Sequence, residues 1–203
     1  MRTAFISALF FLTACQNGNA DKKMLDAKNT NAAIQHFKIM LLPLGKISSQ
    51  DISATYRELR KIFSETQLLP VSSMPTSAYY PPRGRYRADT LIHWMRRLAK
   101  PGEVYLGITS FDISSKKRDN PDFGIMGLGF QPGNACIASN FRLKDKSNFF
   151  KVVIHELGHT AGLPHCPEKT CFMRDAEGKD CTGDEKDFCV KCRKQLLSKG
   201  WKI

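Results

Sequence analysis

Two histidines four residues apart, His155 and His159, followed by Gly162 and a third histidine, His165, constrain this chain more than any other feature. The run reads H-E-L-G-H-T-A-G-L-P-H. On a helix, residues four apart lie one turn above each other on the same face, so both imidazoles can offer nitrogen to one ion. The helix must then stop and double back before a third ligand can approach. Gly162 accepts the left-handed backbone that such a stop commonly uses. Pro164 disfavours helix at Leu163, which frees the chain to bring His165 in from below. Three neutral imidazoles and one water make an open tetrahedral zinc site, and Glu156 sits where it can take a proton from that water as a general base. Three of the five histidines fall in this run. His36 and His93 have no partners in sequence and read as ordinary surface or core residues.

The residues after His165 add a second pattern. Cys166 and Cys171 are separated by four residues, Met173 follows with one between, and Cys189 and Cys192 form a C-x2-C pair. This H-C-x4-C-x-M run with its C-x2-C partner resembles the archaemetzincins (archaelysins), a family of metzincin zinc metalloproteases. The gap between Met173 and Cys189 is slightly shorter than that family's. Pro43-Leu44-Gly45 and Arg83-Gly84-Arg85-Tyr86 also resemble the family's N-terminal half, which extends the similarity to residues 37–203.

The resemblance implies a zinc-dependent peptidase. His155, His159 and His165 would hold the catalytic zinc, and Glu156 would activate the zinc-bound water and return its proton to the leaving amine. Met173 would floor the site from a turn, packing under the imidazoles without binding the metal; as a residue alone it reads equally well as core methionine. Cys166, Cys171, Cys189 and Cys192 would hold a second, structural zinc in a closed tetrahedral site that contributes to folding. Two disulfides are the alternative for these four. Endopeptidase and aminopeptidase action both stay open. A reading from another class is a non-catalytic, zinc-stabilised peptide-binding surface lipoprotein, against which Glu156 argues, since a binder needs no base.

The N-terminus bears on the choice between zinc and disulfides. Residues 4–12 form an apolar run too short to cross a bilayer and of the length of a signal-peptide core. It ends in Leu12-Thr13-Ala14-Cys15, which resembles a bacterial lipoprotein box and implies cleavage before Cys15 and lipidation of its thiol. Residues 1–14 are therefore expected to be a signal peptide, 15–36 a lipidated cysteine with a flexible linker rich in Asn, Lys, Ala and Asp, and 37–203 the catalytic domain. The expected location is the bacterial cell envelope, anchored by lipid and facing periplasm or exterior. An exported chain meets oxidising conditions, yet the paired spacings favour zinc at the four cysteines. Cys136 and Cys181, the last of seven cysteines, are either one disulfide or two buried thiols. Between Cys15 and the first expected strand there is too little chain for a folded propeptide, so the enzyme is expected to be competent once metal is loaded.

With 42% hydrophobic and 25% charged residues in 203, the composition is that of one globular catalytic domain behind a tether. The net charge of +12 comes with no nucleic-acid-binding signature, so no nucleic acid partner is expected. The local cluster Arg83, Arg85, Arg87, Arg96 and Arg97 reads as solvated surface, with anionic lipid head groups or acidic substrates as the functional option. A peptide or protein substrate, a membrane contact through Cys15 and a monomer complete the expectations for partners.

Periodicity predicts strands over 37–42, 68–72, 103–111, 124–130 and 135–143, helices over 49–64, 87–100, 148–161 and 189–198, and a Pro-Tyr-Gly loop over 74–86. That order gives an α/β fold, a metzincin-like mixed sheet with packed helices and an active-site helix. The part after Gly162 is irregular and Cys-rich and needs a staple, zinc or disulfide, to stay folded. An edge strand, 127–130 or 135–140, is expected to take an extended substrate as an added strand. Gly124, Gly127 and Gly129 either admit that substrate backbone or mark a bulge or turn. Tyr79, Tyr80 and Tyr86 are the candidates for a second oxyanion donor.

Overall fold

The computed structural model describes residues 37–176 and 178–203, all within one compact unit, Ile34–Ile203. The expected signal peptide (1–14), Cys15, the expected linker and His36 lie outside the described residues.

The central sheet begins with β1 (Lys38–Pro43), an apolar run whose last five residues are buried. A helix, α1 (Ser49–Ile62), follows, capped by the Ser48 hydroxyl, which accepts from the Asp51 N–H at 3.0 Å and satisfies one of the free donors of the first turn. The chain then returns alongside β1 as β2 (Thr66–Leu68). The strand expected at 68–72 is thus shifted. Leu69 and Ser72 still donate to Leu41 and Pro43, but Pro70, with no N–H, interrupts the ladder between them.

The expected loop over 74–86 contains short elements. Two 3-10 turns flank β3 (Tyr79–Tyr80), and β4 (Arg85–Arg87) pairs antiparallel with it. A second helix, α2 (Ala88–Leu98), carries Leu91, Ile92 and Met95 onto the sheet and leads to β5 (Glu103–Thr109), which pairs parallel with β1.

Next come β6 (Ile113–Lys117) and β7 (Asn120–Ile125), an antiparallel hairpin absent from the sequence-based expectation. The polar run Ser114 to Lys117 carries no apolar alternation, and Arg118 in the left-handed region makes the turn. Only one residue, Met126, separates β7 from β8 (Gly127–Gly129). The single strand expected at 124–130 is therefore two, one in each sheet. The last strand, β9 (Ala135–Ser139), is shorter than the 135–143 expected and fully buried.

Five strands in the order β2-β1-β5-β9-β8 make the main sheet, parallel except for β8, and β3-β4-β6-β7 make a smaller mixed sheet. The active-site helix, α3 (Phe149–Thr160), and α1 pack on one side of the main sheet, around Leu41, Leu106, Val153 and Leu157; α2 packs on the other, around Leu42, Leu91 and Ile137. The mixed α/β class and the packed helices agree with expectation. A short last helix, α4 (Val190–Leu197), closes the Cys-rich part.

The arginine cluster divides. Asp112, 12% exposed in its side chain, accepts from Arg85 Nε at 2.7 Å and from Arg142 Nε and Nη2 at 2.7 and 2.8 Å, while Arg85 and Arg87 also face the buried Asp122. Arg85 and Arg87 are therefore internal ties between β4, β6 and β7, not solvated surface; Arg83 alone of the three stays mostly exposed. Replacing Asp112 by alanine leaves two guanidinium groups without their shared acceptor, so Asp112→Ala should lower unfolding free energy by about 2–4 kcal/mol, read as a shift in urea midpoint at unchanged slope.

Candidate metal centre and active-site cleft

The metal-binding motif is built by the end of α3. Gly162 at φ +88° lets its N–H reach the His159 carbonyl at 2.7 Å while Leu163 N–H reaches the Gly158 carbonyl at 3.0 Å, a paired C-terminal cap. This cap also positions a metal-site group: the Leu163 carbonyl accepts from His159 Nδ1 at 2.8 Å. The turn containing Met173 supplies the equivalent for the other helical histidine, since the Phe172 carbonyl accepts from His155 Nδ1 at 2.6 Å. His165 returns beneath the helix with Nδ1 3.4 Å from an Asp175 carboxylate oxygen.

With each Nδ1–H given to a carbonyl, both Nε2 atoms of His155 and His159 carry lone pairs. They face each other at 3.0 Å. Burial and the neighbouring imidazoles push His155 down to about 3 and lower His159 as well, so neither ring escapes the conflict by taking a proton. A shared cation resolves it. The separation is close to the N···N edge of roughly 3.3 Å expected for zinc at 2.0–2.1 Å from each nitrogen, and one ligand atom from each of the three histidines falls within 4.8 Å of the others.

Beside the imidazoles, Glu156 is 6% exposed, and burial raises its carboxyl to about 8. Among the described residues its carboxylate has no hydrogen bond or ion pair. Gly127 and Gly129 explain its placement. A Cβ at Gly127 would meet Glu156 Oε1 at 2.4 Å, one at Gly129 the Glu156 carbonyl oxygen at 2.8 Å, and one at Gly124 the Arg142 guanidinium at 2.1 Å. Neither a bulge nor room for a substrate accounts for them: each admits part of the protein itself. The edge position goes to β8, and β9 is an interior strand. Tyr79, Tyr80 and Tyr86 do not line the cleft; Tyr86 packs between Tyr79 and Phe111.

Met173 is fully buried under the helix, where a Cβ at Gly158 would come within 2.4 Å of its sulfur. Its segment is held by Cys166 N–H donating to the Met173 carbonyl at 2.7 Å. The four cysteines Cys166, Cys171, Cys189 and Cys192 converge with all sulfurs within 4.8 Å of one another, every one a free thiol. In this structure the Cys166 and Cys189 sulfurs are 3.7 Å apart, longer than the about 2.04 Å of a disulfide bond. That distance matches the roughly 3.8 Å S···S edge of a tetrahedron with 2.3 Å zinc–sulfur bonds. Burial pushes the Cys171 thiol up, and the Met173 and Cys189 N–H groups that donate to its Sγ offset this only in part. Cys136, in β9, and Cys181 are unpaired.

The cleft itself, about 160 Å³, is lined by His155, Glu156, His165, Gly127, Phe123 and Glu185 among others. Lys151 lies one turn before His155 and ties the Cys-rich part to α3 by donating to the Thr182 and Glu185 carbonyls, both at 2.7 Å. Lys151, Phe123 and Glu185 are site residues that sequence patterns do not single out; Glu185 stands in a run of charges that looks solvated. His93, by contrast, is exposed, and its Nδ1 donates to the Asp89 carbonyl one turn back in its own helix.

Residues 33–198 match peptidase family M54. The chain belongs to that family. Among relatives, the archaemetzincin of Archaeoglobus fulgidus is 30% identical over 167 residues, covering 78% of this chain and 98% of the relative. That of Methanocaldococcus jannaschii is 29% identical over 181 residues, covering 80% and 94%. The crystal structure of Archaeoglobus fulgidus archaemetzincin complexed with malonate superposes with a TM-score of 0.67 at 28% identity, over 78% of this chain and 99% of that one. Archaemetzincin from Methanopyrus kandleri gives 0.67 at 26% identity, over 82% and 95%. Membership sets the activity class: the chain is a zinc metallopeptidase of the archaemetzincin kind.

The Met173–Gly158 contact is directly testable. Gly158→Val must displace a side chain with no free space, and should cost about 2–3 kcal/mol, measured as a fall in thermal or urea midpoint. Gly183→Ala, where an added Cβ meets nothing within 4 Å, should leave the midpoint within about 0.5 kcal/mol of wild type.

Proposed function

We propose that this protein hydrolyses peptide bonds at one catalytic zinc held by His155, His159 and His165, with Glu156 as general base. The observation that carries the reading is the pair of Nε2 lone pairs facing each other at 3.0 Å, a geometry that makes sense around a cation. When bound, zinc supplies Lewis acidity, polarising the scissile carbonyl and acidifying the attacking water. Glu156 takes the proton of that water at its carboxylate and hands it to the departing amine nitrogen. Its burial raises its proton affinity, which suits a group that must both accept and return a proton.

The carbonyls of Phe172 and Leu163 fix the tautomer and tilt of His155 and His159, and Asp175 orients His165. Met173 supports the imidazoles by packing under Gly158. The open edge of β8 can add an extended substrate by main-chain hydrogen bonds, and Gly127 keeps that strand in contact with the Glu156 carboxylate. Cys166, Cys171, Cys189 and Cys192 hold a second, structural zinc, closed to water by its four thiolates. A purely peptide-binding role gains nothing from a buried carboxylate without a partner, so Glu156 favours catalysis over that alternative.

Glu156→Ala should retain both zinc ions, counted by metal analysis, while kcat/KM for peptide cleavage falls at least about 10²–10⁴-fold. Full activity in that variant removes the mechanism.

The Leu12-Thr13-Ala14-Cys15 motif supports export and anchoring at Cys15, with the domain facing periplasm or exterior. Mass spectrometry of the protein from bacterial membranes should find an acylated N-terminal residue derived from Cys15, and Cys15→Ser should release the protein from the membrane fraction. An unprocessed N-terminus would sink the envelope assignment.

A further inference from the structure

The cleft contains a second buried carboxylate that the hydrolytic residues do not use. Glu185 is 6% exposed and lines the same cavity as His155, Glu156 and His165. Among the described residues its carboxylate has no hydrogen bond and no ion pair. The two nearby cations are engaged elsewhere: Lys151 directs two N–H groups at the Thr182 and Glu185 carbonyls, and Arg174 pairs with Asp184 at 3.1 Å. Burial raises Glu185 to about 7, only partly offset by the charges of Lys151 and Arg174. The Glu185 oxygens are not among the enclosed polar atoms that lack a partner; they are open to the cleft, where a ligand group can reach them and complete the carboxylate's bonding.

The surroundings narrow the class of that group. Phe123, Ile125 and Val152 form apolar walls, and Lys117 at the rim already lays its ammonium 4.8 Å over the Phe123 ring, so the walls accept an extended cationic side chain. The whole cleft, space over His155, Glu156 and His165 included, is about 160 Å³, below the range of about 300–1,000 Å³ typical of whole-ligand pockets, so the part beside Glu185 takes a side chain at most. Lysine or arginine fits both demands, stem on the walls and charged head on the carboxylate. Val152 stands one helical turn before Glu156, which places this subsite next to the reacting bond.

We propose that Glu185 is a specificity-determining residue that receives the charged head of a lysine or arginine adjacent to the scissile bond, making basic peptides the preferred substrates. The inference rests on the peptidase reading of the neighbouring site.

Its test uses the zinc-loaded full chain carrying Glu156→Gln, so that peptides bind without being cut. Short peptides identical except for Lys, Leu or Glu at one position are titrated by calorimetry. The Lys peptide should bind at least about tenfold more tightly than the Leu peptide, Glu185→Gln should erase that difference, and Glu185→Lys should turn it in favour of the Glu peptide. Equal binding of Lys and Leu peptides, or a Lys preference that survives Glu185→Gln, overturns the proposal. Independently of any Glu185 variant, the Glu156-intact enzyme digesting a mixed peptide library should cut beside Lys or Arg, and cuts placed without regard to basic residues also overturn it. If that enzyme cuts nothing while the binding preference holds, the peptidase reading fails and the Glu185 subsite stands.

Discussion

Two imidazole nitrogens that both present lone pairs to the same point repel unless a cation lies between them, and much of this molecule arranges that confrontation. The helix end at Gly162 supplies one main-chain acceptor and the Met173 turn supplies the other, so the tautomers are set by backbone and not by solvent. The four-cysteine cluster then has a plain purpose: it holds the turn whose Phe172 carbonyl reaches His155. A metal held by the cysteines, as proposed, would organise the segment whose Phe172 carbonyl orients His155.

Glu156 gives the site its second constraint. It is buried against β8 with no partner, and two glycines on that strand have no side chains because the glutamate and its helix occupy the space. Family M54 membership makes the protein a zinc metallopeptidase, and the packing shows how the edge strand and Glu156 come to be in contact. Glycine in this strand serves the enzyme's own close packing before it serves any bound chain.

How legible was this in the sequence? The histidine motif and its helix could be read directly, because i, i+4 spacing and a left-handed glycine are local properties of the chain. So could β1, α1, α2 and β5, whose apolar periodicity reports burial. The β6–β7 hairpin could not. Its residues Ser114 to Lys117 are polar, and it is held by Asp112 and Asp122 bridging arginines far away in sequence. The same ties removed Arg85 and Arg87 from the surface where composition had placed them. Tyr79, Tyr80 and Tyr86 failed as cleft residues for the same reason, since their position depends on the smaller sheet. Glu185 was hidden by its charged neighbours, because burial of one carboxylate in a polar run depends on tertiary packing alone.

The passage from β7 to β8 through Met126 has a further meaning. One continuous length of backbone serves two sheets, with only a single residue to change allegiance, so the two ladders cannot be adjusted separately. Adding or removing one residue anywhere along 120–129 would turn side chains over on one sheet or the other and present something bulkier than hydrogen to the buried glutamate. Variation in this region is therefore expected to confine itself to the hairpin tip near Arg118, where extra length can be absorbed without being transmitted to the edge strand β8.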